Sequence, residues 1–277
     1  MAHLASRFAP RSPSIISAVP LSDDQIRAVA PSIYAQEPHG SRSERYTYIP
    51  TSTVLAKLRE NGFQPFMCAQ TRVRSEDRRE FTKHMLRLRH ASQTVDAEAH
   101  EIILLNSHDG TSSYQMLSGL FRFVCKNGLV CGDVADDIRV THKGDVADRV
   151  VEGAFTVLDG ADLVREVRDD MRGVTLSEEE QTLFARSALQ LKYDLPEGQA
   201  APITERDLLG ARRFDDGKSD LWSVFNRVQE NSLKGGLDAR TASGRRARTR
   251  AVTGIDQGVK LNRALWMLAE GMRQLKR

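Results

Sequence analysis

Five side chains in this sequence carry the chemistry most often used by hydrolases: His84, His90, His108, Asp109 and His142. Imidazole and carboxylate together form a usable ligand set for zinc, manganese or iron, so a metal-dependent hydrolase is one class to weigh. No HExxH, paired CxxC or other fixed-spacing ligand motif accompanies them. His108 and Asp109 also fall within Asn106-Ser107-His108-Asp109-Gly110, whose residues tolerate positive φ or bond nearby amides, and a capped turn explains them better than a metal site. Cys125 can be drawn with His108 as a nucleophile pair, but it lies on an apolar stretch just before a hairpin signal, which suits a buried, inert thiol. There is no P-loop, and Gly153, Gly160 and Gly173 stand alone rather than in a dinucleotide fingerprint. No catalytic residue is assigned, no metal or other cofactor is expected, and the balance leans away from an enzyme.

A different chemistry is offered by arginine. The formal charge of the 277-residue chain is only +3, but its distribution is uneven. From Arg72 to Arg89 there are seven basic residues (Arg72, Arg74, Arg78, Arg79, Lys83, Arg87, Arg89) against three acids, and between Arg240 and Arg250 there are five arginines (Arg240, Arg245, Arg246, Arg248, Arg250) and no acid. Alternation puts Lys83, Arg87 and Arg89 on one strand face, where they are expected to point outward together. Guanidinium forks match phosphate geometry, and a cationic track releases counterions on binding a nucleic acid. Tyr46, Tyr48 and Phe81 lie near these residues and are candidates for base stacking. Arg122 sits mid-strand and must either reach a carboxylate or face a ligand. The competing account is that these are solvated faces balanced by the acidic stretch Asp133–Glu180, which holds fourteen acids and six basic residues.

The elements that must position these residues fall into two textures. From residue 45 to 142 the chain reads as an antiparallel sheet. Its strands are expected at Arg45–Ile49, Gln64–Arg74, Phe81–His90, Glu101–Leu105, Tyr114–Cys125 and Ile138–His142, with Lys126-Asn127-Gly128 as the turn into Leu129-Val130-Cys131. A helix begins at Thr51 or Ser52 and closes at Gly62. After Gly144 apolar residues recur at three- and four-residue steps: Val146 through Val164, Leu183 through Leu191, the segment LWSVFNRVQENSLKGG capped by Ser219, and a last helix from Ile255. Asn226, Gln229, Glu230 and Asn231 form a polar cluster on the third of these, suited to a buried hydrogen-bond network or an oligomer contact. Residues 237–253 lack an apolar period and read as a mobile loop or hairpin. The fold class is therefore α+β, with an antiparallel sheet in the N-terminal half and helices in the C-terminal half. Residues 1–40 hold five of the nine prolines and read as a flexible arm, with one short helix suggested from Ser22 as N-cap to Pro31, ahead of a single domain over 41–277.

Composition is that of a soluble globular protein, with 40% hydrophobic and 28% charged residues. No apolar run is long enough to span a membrane and no secretory signal is visible, so a cytoplasmic protein is expected. Three cysteines do not suggest a disulfide framework.

Arg45-Tyr46 with Ile49-Pro50-Thr51, Phe81 with His84 and the LRLR of Leu86–Arg89, the stretch NSHDGTSSYQMLSGLFRFVCKNGLVCG from Asn106, LWSVFNRVQENSLKGG, and RTRAVTGIDQGVKLNRALW together resemble the phage/plasmid-like family of domain of unknown function 932. The resemblance covers nearly everything from Ala30 to Met272. It implies a protein of prophages, plasmids or other mobile elements, and it supplies no catalytic residues. Joined to the two arginine clusters, it points to nucleic-acid binding, with single-stranded DNA favoured and binding or annealing in recombination or replication as the expected role. Homo-oligomerisation is expected by analogy with annealing proteins. The alternatives are a non-enzymatic protein that acts on a host defence factor through the acidic segment, or the metal-dependent hydrolase above.

Overall fold

A computed structural model describes residues 13–37, 48–73, 76–93, 98–109, 112–123, 127–132, 137–141, 145–193 and 200–276. The chain divides into two compact units, one of Pro10–Asp162 and one containing Leu163–Arg277.

The first unit is built on an antiparallel half-barrel of seven strands. They are β1 (Ser14–Ile16), β2 (Phe63–Gln70), β3 (His84–His90), β4 (Glu98–Asn106), β5 (Tyr114–Arg122), β6 (Asn127–Val130) and β7 (Ile138–Val140). Strands β1 to β6 pair in sequence order, and β7 pairs with β5. β5 and β6 form the expected central hairpin, with Gly119 opposite Val130 and Leu120 opposite Leu129, but its turn is shifted: Asn127 and Gly128, expected in the turn, pair with Arg122 and Phe121, and β5 ends at Arg122 rather than Cys125. The middle strand, β4, is buried along its whole length. It runs further than the apolar stretch Glu101–Leu105 because its polar residues find cross-strand partners. His100 Nε2 meets Ser118 Oγ at 2.9 Å, and Glu98 pairs with Arg122 at 3.3 Å.

One sheet face is covered by α1 (Asp23–Val29), α2 (Thr51–Glu60) and α3 (Val146–Asp159), which close a core of Leu21, Ile26, Val54, Leu55, Leu58, Phe63, Leu86, Leu104, Met116 and Val150. Residues 13–37 therefore do not behave as an irregular arm. β1 adds an edge strand with Ser14 opposite Ala69, and Ser22 and Gln25 close a capping box that starts α1. Most of the strand expected at Arg45–Ile49 lies outside the described residues, and Tyr48–Pro50 is not in a strand.

The second unit holds most of α4 (Ala161–Gly173), with α5 (Glu178–Tyr193), α6 (Glu205–Leu209), α7 (Leu221–Lys234), α8 (Ile255–Leu275) and a two-stranded ribbon of β8 (Asp238–Arg240) and β9 (Arg246–Arg248). The apolar period from Val146 to Val164 is split at Gly160 into α3 and α4. α7 is buried from Leu221 to Ser232 and is capped by Asp220, whose carboxylate accepts from Ser223 N, rather than by Ser219. Phe225 on α7 meets Trp266 on α8 edge-to-face at 6.1 Å.

Candidate nucleic-acid interface

Residues 237–253 form the β8–β9 hairpin. Asp238 pairs with Arg248, Ala239 with Ala247 and Arg240 with Arg246. Directly opposed residues share a face, so Arg240, Arg246 and Arg248 stand together on one side and the two alanines on the other. The arginine side is solvent-exposed, whereas both alanines are half-buried. The turn closes with Thr241 N donating to Arg245 O and with Gly244 at φ +77°. From Leu237 to Arg250 five arginines stand against one acid, Asp238, giving the arm a net charge of +4. Asp238 reaches Arg248 only at 3.4 Å with both side chains in water, which neutralises little. Among the described residues Arg245 and Arg246 make no ion pair, and Arg250 is exposed.

The arm stands on a fixed root. Gly236 N donates to Thr249 O, Thr249 N to Leu237 O, Val252 N to Leu233 O and Arg240 N to Pro202 O, all at 2.8–2.9 Å. Gly235 adopts φ +62°, and a Cβ there would lie 2.5 Å from the carbonyl carbon of Arg250, so only glycine lets the two ends of the arm come together. The polar cluster noticed on α7 is a hydrogen-bond network that anchors this root. Asn231 accepts from Arg212 Nε at 2.7 Å and donates to Leu208 O and Gly210 O. Gln229 donates to Asn262 on α8 at 2.8 Å. Burial opposes ionisation of Glu230, but hydrogen bonds from Arg213 and Lys234 outweigh it and hold its carboxyl down to a pKa of about 2.

The first arginine cluster divides. Arg72, Arg78 and Arg79 are exposed, and Arg74 lies outside the described residues. Lys83 is half-buried and engaged in an interaction. Arg87 and Arg89 do not point into solvent, contrary to the outward face expected from alternation: they are 7% and 2% exposed. Both Nε atoms donate to Glu101 on β4, at 2.5 and 2.8 Å, and Arg87 Nη2 donates to Leu129 O. The guanidinium of Arg87 reaches that carbonyl across Gly119 and Gly128, where any side chain would collide with it. Arg89 is wrapped by Phe66, Phe121 and Phe123, with ring centroids 4.2, 4.3 and 4.9 Å from its Cζ. Burial lowers its pKa, and Glu101 opposes that shift. Arg122, for its part, has found the carboxylate partner Glu98. These three arginines are structural and are withdrawn from the candidate interface.

Two of the histidine candidates, His84 and His108, meet as well, but around a hydroxyl; His90 lies apart, 2.8 Å from Ser92 Oγ and packed against Phe63. His84 Nε2 and His108 Nε2 lie 2.9 and 3.2 Å from Thr51 Oγ1, which also contacts Tyr114 Oη at 3.1 Å and accepts from Asn106 Nδ2. Ser32 and Gln70 extend this buried network through His84 Nδ1. Desolvation holds the pKa of His84 well below its ordinary value, so it is neutral. Among the described residues no group of three or more histidine, cysteine, aspartate or glutamate side chains could hold a metal ion. His142 and Cys125 lie outside the described residues. Tyr48 donates its hydroxyl to Ala35 O at 2.6 Å and packs edge-on against His108; Phe81 is half-buried, and Tyr46 lies outside the described residues. Two aromatic stacking candidates thus belong to the first unit's packing, and the sequence offered no signal for Phe214, which is fully exposed in the second unit. No helix among the described residues is long and apolar enough to cross a membrane.

Residues 38–266 match the family model described as "Domain of unknown function (DUF932)". The chain is similar to the UPF0380 protein YafZ of Escherichia coli (strain K12), at 52% identity over 272 residues that cover 98% of each chain. It is also similar to the UPF0380 protein YfjQ of the same strain, at 51% identity over 270 residues, 98% of this chain and 97% of the other. No solved structure matches.

Proposed function

We propose, from the premise that the chain belongs to the family of domain of unknown function 932, that it binds nucleic acid through the exposed arginine face of the β8–β9 ribbon. Single-stranded DNA is the favoured ligand, and recombination or replication of a mobile element is the setting. One observation carries this reading: the guanidiniums of Arg240, Arg245, Arg246 and Arg248 are exposed on a ribbon rooted by backbone hydrogen bonds, and the acid on their face, Asp238, is a weak, solvated partner of Arg248. Arginines already in water give up little hydration to meet phosphates, and displaced counterions drive the association. Successive arginines two apart on β9 are spaced by about 6.8 Å, so neighbouring guanidiniums can engage different phosphates along one strand. The exposed Arg72, Arg78 and Arg79 supply a further cationic surface on the first unit.

Fluorescence anisotropy with a labelled oligonucleotide tests this. The logarithm of the affinity should fall linearly with the logarithm of salt between about 50 and 200 mM. Changing Arg240, Arg245, Arg246, Arg248 and Arg250 together to alanine should flatten the slope by about 3.5 for a single strand. Binding that ignores salt, or a variant that binds like the parent, contradicts the proposal.

A further inference from the structure

The most exposed large apolar side chain among the described residues is Phe214, at 98%. It opens a single 3-10 turn, Phe214–Gly217, whose backbone is fastened on both sides. Before it, Arg213 grips both carboxylate oxygens of Glu230 at 2.5 and 2.7 Å, and Arg212 donates to Asn231 Oδ1 and Gly235 O, each at 2.7 Å. After it, Arg227 Nη1 donates to Asp216 O at 2.6 Å and Lys218 O at 2.9 Å. A loose loop could fold a phenyl ring back onto the protein; this turn is fixed from beneath and keeps the ring in water.

What surrounds the ring indicates its ligand. Ala211, Arg212, Arg213, Gly217 and Lys218 line an open groove beside it, of about 680 Å³. Arg212, two residues before Phe214, ends on the carbonyl of Gly235, whose Cα packs against the backbone of Arg250 at the arm's root. Two residues of chain span at most about 7 Å, and the extended Arg212 side chain with its hydrogen bond adds about 10 Å, so the backbone of Phe214 lies within about 17 Å of the place where the arginine ribbon begins, a distance that about three nucleotides of a single strand bridge.

We infer that Phe214 is a stacking platform for an unpaired base, with the sugar-phosphate backbone of the same strand running on to the arginine face of β8–β9. A phenyl ring next to a cationic track is the combination that holds single strands without reading their sequence, because every base has a π-face. A duplex keeps its base faces covered, so the platform selects unpaired nucleic acid. This rests on the ribbon reading above and assigns that site its substrate class.

Three probes separate the two ideas: a single-stranded oligonucleotide, an abasic deoxyribose-phosphate strand of the same length, and a blunt duplex. Phe214→Ala should weaken the first by about 5- to 150-fold, leave the other two unchanged, and leave thermal stability unchanged. Phe214→Trp should restore single-strand affinity, and the added indole emission should be quenched on binding. If Phe214→Ala binds the base-bearing strand as tightly as the parent, the stacking inference is overturned while the ribbon reading stands. If native mass shows that Phe214→Ala dissociates an oligomer with oligonucleotide affinity untouched, the ring belongs to a contact between copies. If the parent binds none of the probes, both readings fall.

Discussion

Two strands of this molecule carry arginines two residues apart, β3 with Arg87 and Arg89 and β9 with Arg246 and Arg248, and the two pairs have opposite fates. β3 lies between β2 and β4, so its arginines meet Glu101 on the neighbouring strand and three phenyl rings, and solvent is shut out. β9 has one neighbour, β8, and the carboxylate opposite Arg248 is Asp238, 92% exposed. Charge pattern is the same in both; the number of flanking strands and the depth of the nearest carboxylate decide which pair becomes structure and which stays available. The buried pair is spent on the fold, whereas the exposed pair remains in solvent.

The largest effect is expected from removing Glu101. Glu101→Ala leaves two buried guanidiniums uncompensated and should cost about 3–5 kcal/mol in urea denaturation. The five-arginine ribbon variant should instead shift stability by no more than about 0.5 kcal/mol per site. Comparable losses in the two variants would erase the distinction. Gly128→Ala comes next. Its Cβ would overlap the guanidinium of Arg87, so a loss of about 1–3 kcal/mol in the same denaturation is expected.

The buried network around Thr51 gives a pH dependence that the ribbon lacks. The pKa of folded His84 is depressed by desolvation below the 6.5 of the unfolded chain, so the unfolded state takes up a proton first as pH falls. Its contribution is fully present above pH 6.5 and is lost on acidification, at about 1.4 kcal/mol per pH unit from this one group. His84→Gln should flatten that part of the stability profile; an unchanged slope would show that His84 is not the group titrating. The smallest effect is expected from Asp238→Asn. It should alter stability by less than about 0.5 kcal/mol while modestly tightening oligonucleotide binding, because it removes the arm's single acid.

Much of the fold was legible because periodicity records which face is buried. The β5–β6 hairpin, the strands from Phe63 to Arg122 and the helices from Glu178 onward follow from alternation, turn residues and apolar stripes. Burial of Arg87 and Arg89 was not, since alternation reports that two side chains share a face but not that Glu101, twelve or more residues away, will neutralise them there. The same long-range pairing hid the true length of β4, where Glu98 and His100 look like loop residues until Arg122 stands opposite Glu98 and Ser118, one pair along, reaches the ring of His100. For the candidate site, the five ribbon arginines were visible as a run without acids. Phe214 was not, because its exposure is set by six hydrogen bonds from Arg212, Arg213 and Arg227, residues that carry no local signature.

The ribbon, not the sheet, is the proposed contact with nucleic acid. Its most direct test is the salt dependence of single-stranded oligonucleotide affinity for the parent and for the variant with Arg240, Arg245, Arg246, Arg248 and Arg250 changed to alanine, both shown to be folded. Tight, steeply salt-dependent binding is expected of the parent and a slope flatter by about 3.5 of the variant. Equal slopes, or a parent that does not bind at low salt, would contradict it.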